Sequence, residues 1–494
     1  MNLVVLPVII PLFATGLSLL AHRTLLLQRI IGVATTVGSL GIAIALLVEV
    51  EADGIQAHTI GAWPAGVGIT LVADLASSMF LVVSLVVIVV VQVFAIGQGA
   101  DAARPRFAQP VYLVLAAGVS MSFLTGDLFN LFVAFEVMLI ASYVLLTFGA
   151  GAAQIRTGMT YVVINVLAST MLLSTVGLIY GATGTVDMAQ LVTRFPELPG
   201  PTQLALGLLL LAVFAIKAAL FPFFFWLPDS YPTAPIVVTA VFAGLLTKVG
   251  VYTMIRATSI LGLDDARTAL VVVASITMVV GVVGAIVQGD MKRILSFHII
   301  SQVGYMIMGL AVGTVAGLTG AVLYVVHHIP VKTALFLVSG LVEQATGTAT
   351  LNRLGGLVRR APVVAALFVV PALSLAGIPP FSGFLAKLAV ISAGLDAEEY
   401  VMVAASLVAS LLTVFSMSKI WAGAFWGSPA EGENGEPGDD SPLPIDKVTV
   451  GATAALVLAT LVVPIFGGEV YDLAERAAEQ LLDPAVYVEA VNNQ

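Results

Sequence analysis

The sequence predicts an all-α polytopic membrane protein of about fourteen transmembrane helices. Three observations predict it: the apolar share of the chain, the scarcity of charge, and apolar runs of about twenty residues that recur from end to end. Of 494 residues, 59% are hydrophobic and 10% charged, against roughly 25% charged in an ordinary soluble domain. A soluble fold of this size has no way to hide so much apolar surface, so the solvent is lipid. A run of about 20 residues is what a helix needs to cross a hydrocarbon core of roughly 30 Å.

Taken in order, spans are expected near 1–21, 29–48, 75–96, 110–125, 128–149, 159–181, 203–224, 235–257, 268–288, 291–313, 315–341, 363–394, 400–426 and 448–467. The first resembles a signal peptide, but it opens without a basic region and ends at Ala21-His22-Arg23 without a small-residue cleavage site, so it reads as a helix of the mature protein. Spans seven and twelve are interrupted at Phe221-Pro222-Phe223 and Pro379-Pro380-Phe381. Proline inside a span releases carbonyls and kinks the helix, which is tolerated where the break is buried in protein or faces a wet cavity. The two breaks lie five spans apart, so spans four to eight and nine to thirteen form five-helix units of opposite orientation, although they share little sequence.

The organisation expected is therefore three N-terminal spans (1–109), a first unit (110–258), a second unit (265–426), a linker (427–447), and a last span with a tail (448–494). The linker is rich in Gly, Pro and acid, with Glu431, Glu433, Glu436, Asp439 and Asp440, and reads as a solvated cytoplasmic tether. In the tail, Val470, Leu473, Ala477 and Leu481 share one helical face, which predicts an amphipathic helix along the outer surface or against a neighbour.

Of the 20 Lys and Arg, placing the N-terminus outside puts Arg23, Arg29, Arg104, Arg106, Arg156, Lys292, Arg293, Arg353, Arg359, Arg360 and Lys447 on the cytoplasmic side. Arg194, Arg256, Arg267 and Arg476 then lie outside, so the positive-inside rule predicts both termini outside.

Several function classes are excluded. Cysteine is absent, which removes disulfides, thiolate metal sites and a cysteine nucleophile. The longest polar stretches are too short for a soluble catalytic domain, no Walker or dinucleotide pattern follows a strand, and the histidines lack the carboxylate spacing of a zinc or iron site. No cofactor, metal or nucleic-acid partner is expected.

The candidate functional residues are charges that lipid should reject. Glu136 is the one acid near the middle of a span, and Lys217, Lys248, Lys332, Lys387 and Lys419 are embedded in spans seven, eight, eleven, twelve and thirteen. An ionisable group at that depth costs a few kcal/mol or more unless paired or wet, which marks it as functional by default. His328 and Lys332 are four residues apart on one helix face, placed to pass a proton through a water or two. His327 points about 100° away. A buried lysine is a suitable carrier because a carboxylate that approaches or retreats switches it between holding and releasing its proton. Glu136 is the embedded acid for that part, with Lys217 as partner. His327, His298 one turn into span ten, and Lys419 near the inner end of span thirteen are secondary candidates.

Several segments resemble the antiporter-like subunits shared by respiratory complex I, membrane-bound hydrogenases and Mrp cation/proton antiporters. They are Lys217-Ala-Ala-Leu-Phe-Pro222 with Trp226-Leu-Pro-Asp229 and Ala234-Pro235, Asp290-Met-Lys-Arg-Ile-Leu295 with Ser301-Gln-Val-Gly-Tyr305, His328-Ile-Pro-Val-Lys332-Thr-Ala-Leu-Phe, and Ala376-Gly-Ile-Pro-Pro-Phe-Ser-Gly-Phe384. The resemblance covers about 110–426. It implies fourteen helices with two inverted five-helix units and discontinuous helices seven and twelve. It also implies a Glu–Lys pair (Glu136, Lys217) and a midplane proton chain through Lys248, His328, Lys332 and Lys387. Lys387 stands where M-type complex I subunits typically carry Glu, and Phe297-His298-Ile-Ile-Ser-Gln-Val-Gly-Tyr305 is most similar to the D-type subunits of Mrp antiporters. That implies a bacterial inner-membrane complex with A-, B-, C-, E-, F- and G-type subunits exchanging protons for sodium; with one embedded acid in this chain, a sodium site shared with another subunit is expected. The alternatives are a redox-driven pump subunit of complex I or a hydrogenase, and a scaffold that transports nothing.

Overall fold

The computed structural model describes residues 3–63, 68–99, 107–147, 151–428 and 441–493; the acidic stretch Glu431 to Asp440 expected as a tether lies outside the described residues. Helices α1 (Leu6–Leu20) and α2 (Leu25–Asp53) lead into an antiparallel hairpin of β1 (Gln56–Thr59) and β2 (Thr70–Ala73). Then come α3 (Leu75–Gly97), α4 (Ala108–Leu124), α5 (Leu128–Leu146) and α6 (Ala152–Thr183). The seventh helix is split into α7a (Gly200–Ala218) and α7b (Trp226–Ser230), and α8 (Ile236–Leu261) follows. The remainder is α9 (Arg267–Val287), α10 (Met291–Val312), α11 (Val315–Thr346), α12a (Pro362–Ala376), α12b (Ser382–Asp396), α13 (Tyr400–Ile420), α14 (Lys447–Ala459), α15 (Gly467–Leu482) and α16 (Pro484–Asn492).

Among the described residues twelve helical stretches are long and apolar enough to cross a membrane, and α4 and α12a are shorter apolar helices. The all-α membrane architecture stands as expected. The hairpin between α2 and α3 was not anticipated, because four-residue strands leave no periodicity to read. The seventh span also ends earlier than expected: α7a stops at Ala218, and Ala219 turns into the left-handed region (φ 59°) before Phe221-Pro222. In the twelfth span, α12a stops at Gly377 (φ 84°), ahead of Pro379-Pro380.

Burial sorts the helices. The most apolar windows of α8 and α11 are 100% buried and that of α10 94%, whereas α2 reaches 28% and α6, α9 and α13 39%. The bundle thus has α8, α10 and α11 as its protein-facing centre and a lipid-facing shell, and the centre is where embedded charge is found. Helix α8 approaches its neighbours through glycine. A Cβ on Gly244 would collide with Thr333 Oγ1 of α11, and one on Gly250 would lie 2.7 Å from the Ala218 nitrogen of α7a. Lys248, between them, is therefore held close to both.

Aspartates start many of the helices: Asp74, Asp127, Asp290 and Asp446 each accept from the backbone nitrogen three residues on, filling a donor the first turn leaves free. One local arrangement occurs twice. Asp127 bridges Asp187 and Asp290 bridges Thr350, each joining the start of one helix to the turn after the next. In the first, Leu128 N donates to Val186 O and Met188 N to Gly126 O; in the second, Met291 N donates to Ala349 O and Leu351 N to Gly289 O. Both turns read Thr-Gly-Thr with a left-handed glycine, Gly184 (φ 73°) and Gly347 (φ 76°), and in both the first threonine hydroxyl donates to the carbonyl four residues back.

The two ends of the bundle are closed differently. At the end carrying the hairpin, the amphipathic α15 folds back over α3, α8 and α11. Ala477 and Leu481 are buried, Val470 and Leu473 partly so, and Gln480 Oε1 accepts from Leu75 N. The tail helix, expected along the outer surface or against a neighbour, packs on helices of its own chain. At the opposite end Arg293 pairs with Asp229 of α7b and Lys292 with Glu343, both at 2.9 Å.

Candidate functional site

The row of embedded groups begins on α5. Glu136 is partly buried, and its Oε1 reaches no hydrogen-bond partner. Lys217, two residues before the left-handed Ala219 that ends α7a, is buried. Its ammonium donates to Ser169 Oγ at 2.9 Å and to the Asn165 carbonyl at 3.3 Å, both on α6, and lies 5.3 Å from the centre of the Phe135 ring. Glu136 acts on Lys217 through space, yet no ion pair joins them among the described residues. The direct Glu136–Lys217 pair expected from the sequence is therefore not formed in this structure. The physical reason is that α6 offers the ammonium two closer oxygens.

Lys248 is fully buried on α8, directly after a π-helical turn at Phe242–Leu246. Its ammonium donates to the Ala243 carbonyl inside that turn. A π turn widens the helix and leaves carbonyls off the regular ladder, here giving Lys248 an oxygen within its own helix. Lys248 interacts through space with His328 and Lys332.

Those two sit in the middle of α11, completely buried. Both ring nitrogens of His328 and the Lys332 ammonium have no hydrogen-bond partner, and the nearest π face to Lys332 is Phe336, 5.8 Å away. His327 faces the other way, as its position on the helix requires. Its Nδ1 is 2.8 Å from Ser382 Oγ, which is 2.9 Å from Ser374 Oγ, so it ties α11 to both halves of the broken twelfth helix.

Helix α10 supplies His298, whose Nε2 is 2.6 Å from Ser416 Oγ of α13 and whose Nδ1 is unpartnered. His298 interacts through space with both Lys332 and Lys387, and His327 with Lys387. Lys387 on α12b ends the row. Its ammonium donates to the Ala376 carbonyl, freed by the break after α12a, and to Ser410 Oγ, each at 3.0 Å, and stands 5.3 Å from the Tyr305 ring.

The structure thus sets Glu136 near Lys217, Lys248 near His328 and Lys332, and His298 between Lys332 and Lys387, while Lys217 and Lys248 lie on α7a and α8 where the two helices meet at Gly250. Lys419 stands apart. It donates to the Ile286 and Gln288 carbonyls at 2.7 and 2.6 Å, closing the C-terminal end of α9 as a cation does well.

Two clusters were not anticipated from the sequence. Tyr305 and Tyr324 stack at 5.2 Å between the histidines and Lys387, Tyr324 donates to Gln302 Oε1, and Gln302 Nε2 is left without a partner. The spacing of His298, Gln302 and Tyr305 by four and three residues is the signal that would have found them. The second is a buried ion pair. Arg256, counted on the outer side at the end of the eighth span, is buried in α8 against Asp74 and lies between the rings of Tyr252 and Tyr487, 5.4 and 5.3 Å from their centres. No local pattern connects residues so far apart in the chain.

Comparison with known proteins identifies the family. The family described as NADH:quinone oxidoreductase/Mrp antiporter, TM, matches residues 125–413. The chain is 42% identical over 494 residues to the D-type subunit of the Na(+)/H(+) antiporter of Alkalihalophilus pseudofirmus, covering 99% of each, and 36% identical over 498 residues to the protein of that name from Bacillus subtilis, again covering 99% of each. Among solved structures it is similar to a chain of the Mrp complex from Dietzia sp., with a TM-score of 0.92, 35% identity, and coverage of 99% of this chain and 100% of that one. A chain of respiratory complex I from Thermus thermophilus shares the fold at a TM-score of 0.82 and 24% identity, over 97% and 99% of the two chains. A matched sequence family, full-length relatives and a shared architecture agree, and the chain belongs to the NADH:quinone oxidoreductase/Mrp antiporter family of transmembrane subunits.

Proposed function

We propose that this chain is the proton-translocating subunit of a multisubunit sodium/proton antiporter of the Mrp type, a secondary transporter and not an enzyme. The observation that carries the reading is the row from Glu136 to Lys387, six ionisable groups on α5, α7a, α8, α11 and α12b, several of whose polar atoms meet no protein partner. A fully buried amine or imidazole does not persist unsatisfied, so water bridging these atoms joins them into a relay. Protons reach Glu136 and Lys217 from one side, pass through Lys248 and the His328/Lys332 pair, and leave by Lys387 toward the other side or a neighbouring subunit. His298 and His327 tune the second half, and Lys419 serves the architecture.

The break in the twelfth helix places Lys387 beside the Ala376 carbonyl, which a continuous helix would occupy, and the break in the seventh ends α7a one residue after Lys217; both suit a group that must exchange partners. The paired turns at Asp127/Asp187 and Asp290/Thr350 support reading α4 to α8 and α9 to α13 as inverted units, and counting α4 and the split twelfth helix gives fourteen spans. Lys292, Arg293 and Lys419 at the end opposite the tail support a cytoplasmic face there and both termini outside, in a bacterial inner membrane. The names of the full-length relatives and the Mrp likeness support a multisubunit complex, whose partners we assign to the A, B, C, E, F and G types. With one embedded acid, the sodium site is shared with a partner. The redox-driven alternative has weaker support, since the structural likeness to complex I falls at lower identity than that to the Mrp complex.

The test is sodium-dependent proton transport in vesicles carrying the whole complex, wild type against Glu136→Ala at matched abundance. Loss of exchange, expected at about 100-fold or more, with the complex intact supports the relay. Full retention returns the buried charges to architecture and favours a scaffold.

A further inference from the structure

Helices α6 and α11 each have 32 residues and end in the same Thr-Gly-Thr turn. Laying Thr183-Gly184-Thr185 on Thr346-Gly347-Thr348 also carries Asp127 onto Asp290, and it carries Asn165 onto His328 and Ser169 onto Lys332. The positions that bear two relay groups in α11 therefore bear, in α6, the carbonyl and hydroxyl that accept from the Lys217 ammonium.

Ser169 is used differently from the three hydroxyls that follow it on its helix. Thr170, Ser174 and Thr175 each donate to the carbonyl four residues back, at 2.9, 2.9 and 2.8 Å, the ordinary use of a hydroxyl in an apolar helix. Ser169 is buried and receives a hydrogen bond from another helix. Around the ammonium stand one hydroxyl, one carbonyl and the Phe135 ring, all neutral, while the one nearby carboxylate, Glu136, is left with an unpartnered oxygen. A lysine held by neutral acceptors can release its proton; a lysine in contact with a carboxylate keeps it.

We propose that Ser169, together with the Asn165 carbonyl, is the docking position of Lys217, holding its ammonium off Glu136 between transfers. The structure has Lys217 in this docked position. Ser169 is a positioning residue: it exchanges no proton itself but sets how much of the time Lys217 is free of its counter-ion. The proposal rests on the proton-relay reading above.

The experiment measures exchange rate and its pH profile in vesicles carrying the whole complex, for wild type, Ser169→Ala and Ser169→Thr at matched abundance. A hydrogen bond to a charged group is worth roughly tenfold or more in an equilibrium. Ser169→Ala is therefore expected to slow exchange about tenfold near neutral pH and to move the profile alkaline, because Lys217 then rests on Glu136 and gives up its proton less readily. Ser169→Thr, which keeps the hydroxyl, restores both. If the alanine variant accumulates poorly, Ser169→Val is compared with Ser169→Thr, two side chains of one shape differing in the hydroxyl; a shifted profile in valine alone is the supporting result. An alanine variant with wild-type rate and profile, or a threonine variant that behaves like alanine, overturns the proposal. Lys217→Ala separates the two levels: loss of exchange there with a silent Ser169→Ala removes the docking position alone, whereas retained exchange removes the relay and the docking with it.

Discussion

At the tail end of the bundle Arg256 and Asp74 are buried in contact, and their polar atoms are served: Arg256 donates to Asp74 and Tyr252, and Asp74 also accepts from Ser77 N. Along the middle of the same bundle Glu136, His328 and Lys332 keep polar atoms with no protein partner. Both regions bury charge in an apolar chain, so burial alone does not separate architecture from transport. Partner satisfaction is the difference on which the proposed relay rests. The bonded Arg256–Asp74 pair has one stable arrangement and joins α3 to α8; the underbonded His328 and Lys332 have several of similar energy, the condition a relay requires.

The difference is broken most severely at the tail end. Arg256→Ala leaves the Asp74 carboxylate buried and unpaired, at a cost of about 3–5 kcal/mol. The expected outcome is loss of assembled complex, read by detergent extraction and size-exclusion chromatography, with whatever assembles still exchanging ions. Lys332→Leu is the converse. It fills the same buried space, removes an unpartnered amine, and is expected to leave assembly and thermal stability equal to wild type while lowering exchange about 100-fold, roughly 2.7 kcal/mol in barrier. If Lys332→Leu reduces assembly and spares exchange, the distinction between the two regions is wrong.

The smallest effect sharpens the boundary between them. Asp127, outside the spans at the start of α5, has its carboxyl raised by burial from 3.8 to about 6, with the neighbouring Asp187 carboxylate adding to the shift. A carboxyl raised on folding favours the protonated folded state. Stability is therefore greatest below about 4 and falls as pH rises through about 6. Capping bonds to the ionised form are already contained in that shift, and a change on the order of 1–3 kcal/mol is expected. Thermal melting of the complex across pH 4 to 7 should show the slope, and Asp127→Asn, which still caps, should flatten it.

Much of the fold was legible because lipid leaves few options: twenty-residue apolar runs, interior prolines and misplaced charges each have one economical reading in a bilayer. Glu136, Lys217, Lys248, His328, Lys332 and Lys387 stood out for the same reason, as charges at a depth where water does not help. Other features were not legible. Arg256 reads as a charge at the outer end of the eighth span because its partner lies far back in the chain at Asp74. Lys217 reads as the partner of Glu136 because sequence supplies charges and not distances, and Ser169 carries no charge to notice. The arrangement that occurs twice was hidden in turns, Gly-Asp before one helix and Thr-Gly-Thr after the next, where too few residues recur for a pattern to rise above the apolar background.

By itself, then, the sequence determined the solvent, the class of fold and the identity of the embedded groups, because transfer of charge and backbone into hydrocarbon is a large term that depends on composition and local order alone. Which groups touch was decided in the tertiary structure, by where α8 meets α7a and α11 through Gly250 and Gly244 and by how far α6 reaches toward Lys217. Those are contacts of a few ångströms between residues distant in the chain, and the direction in which a buried lysine leans is set by the nearest oxygen, which no local pattern specifies.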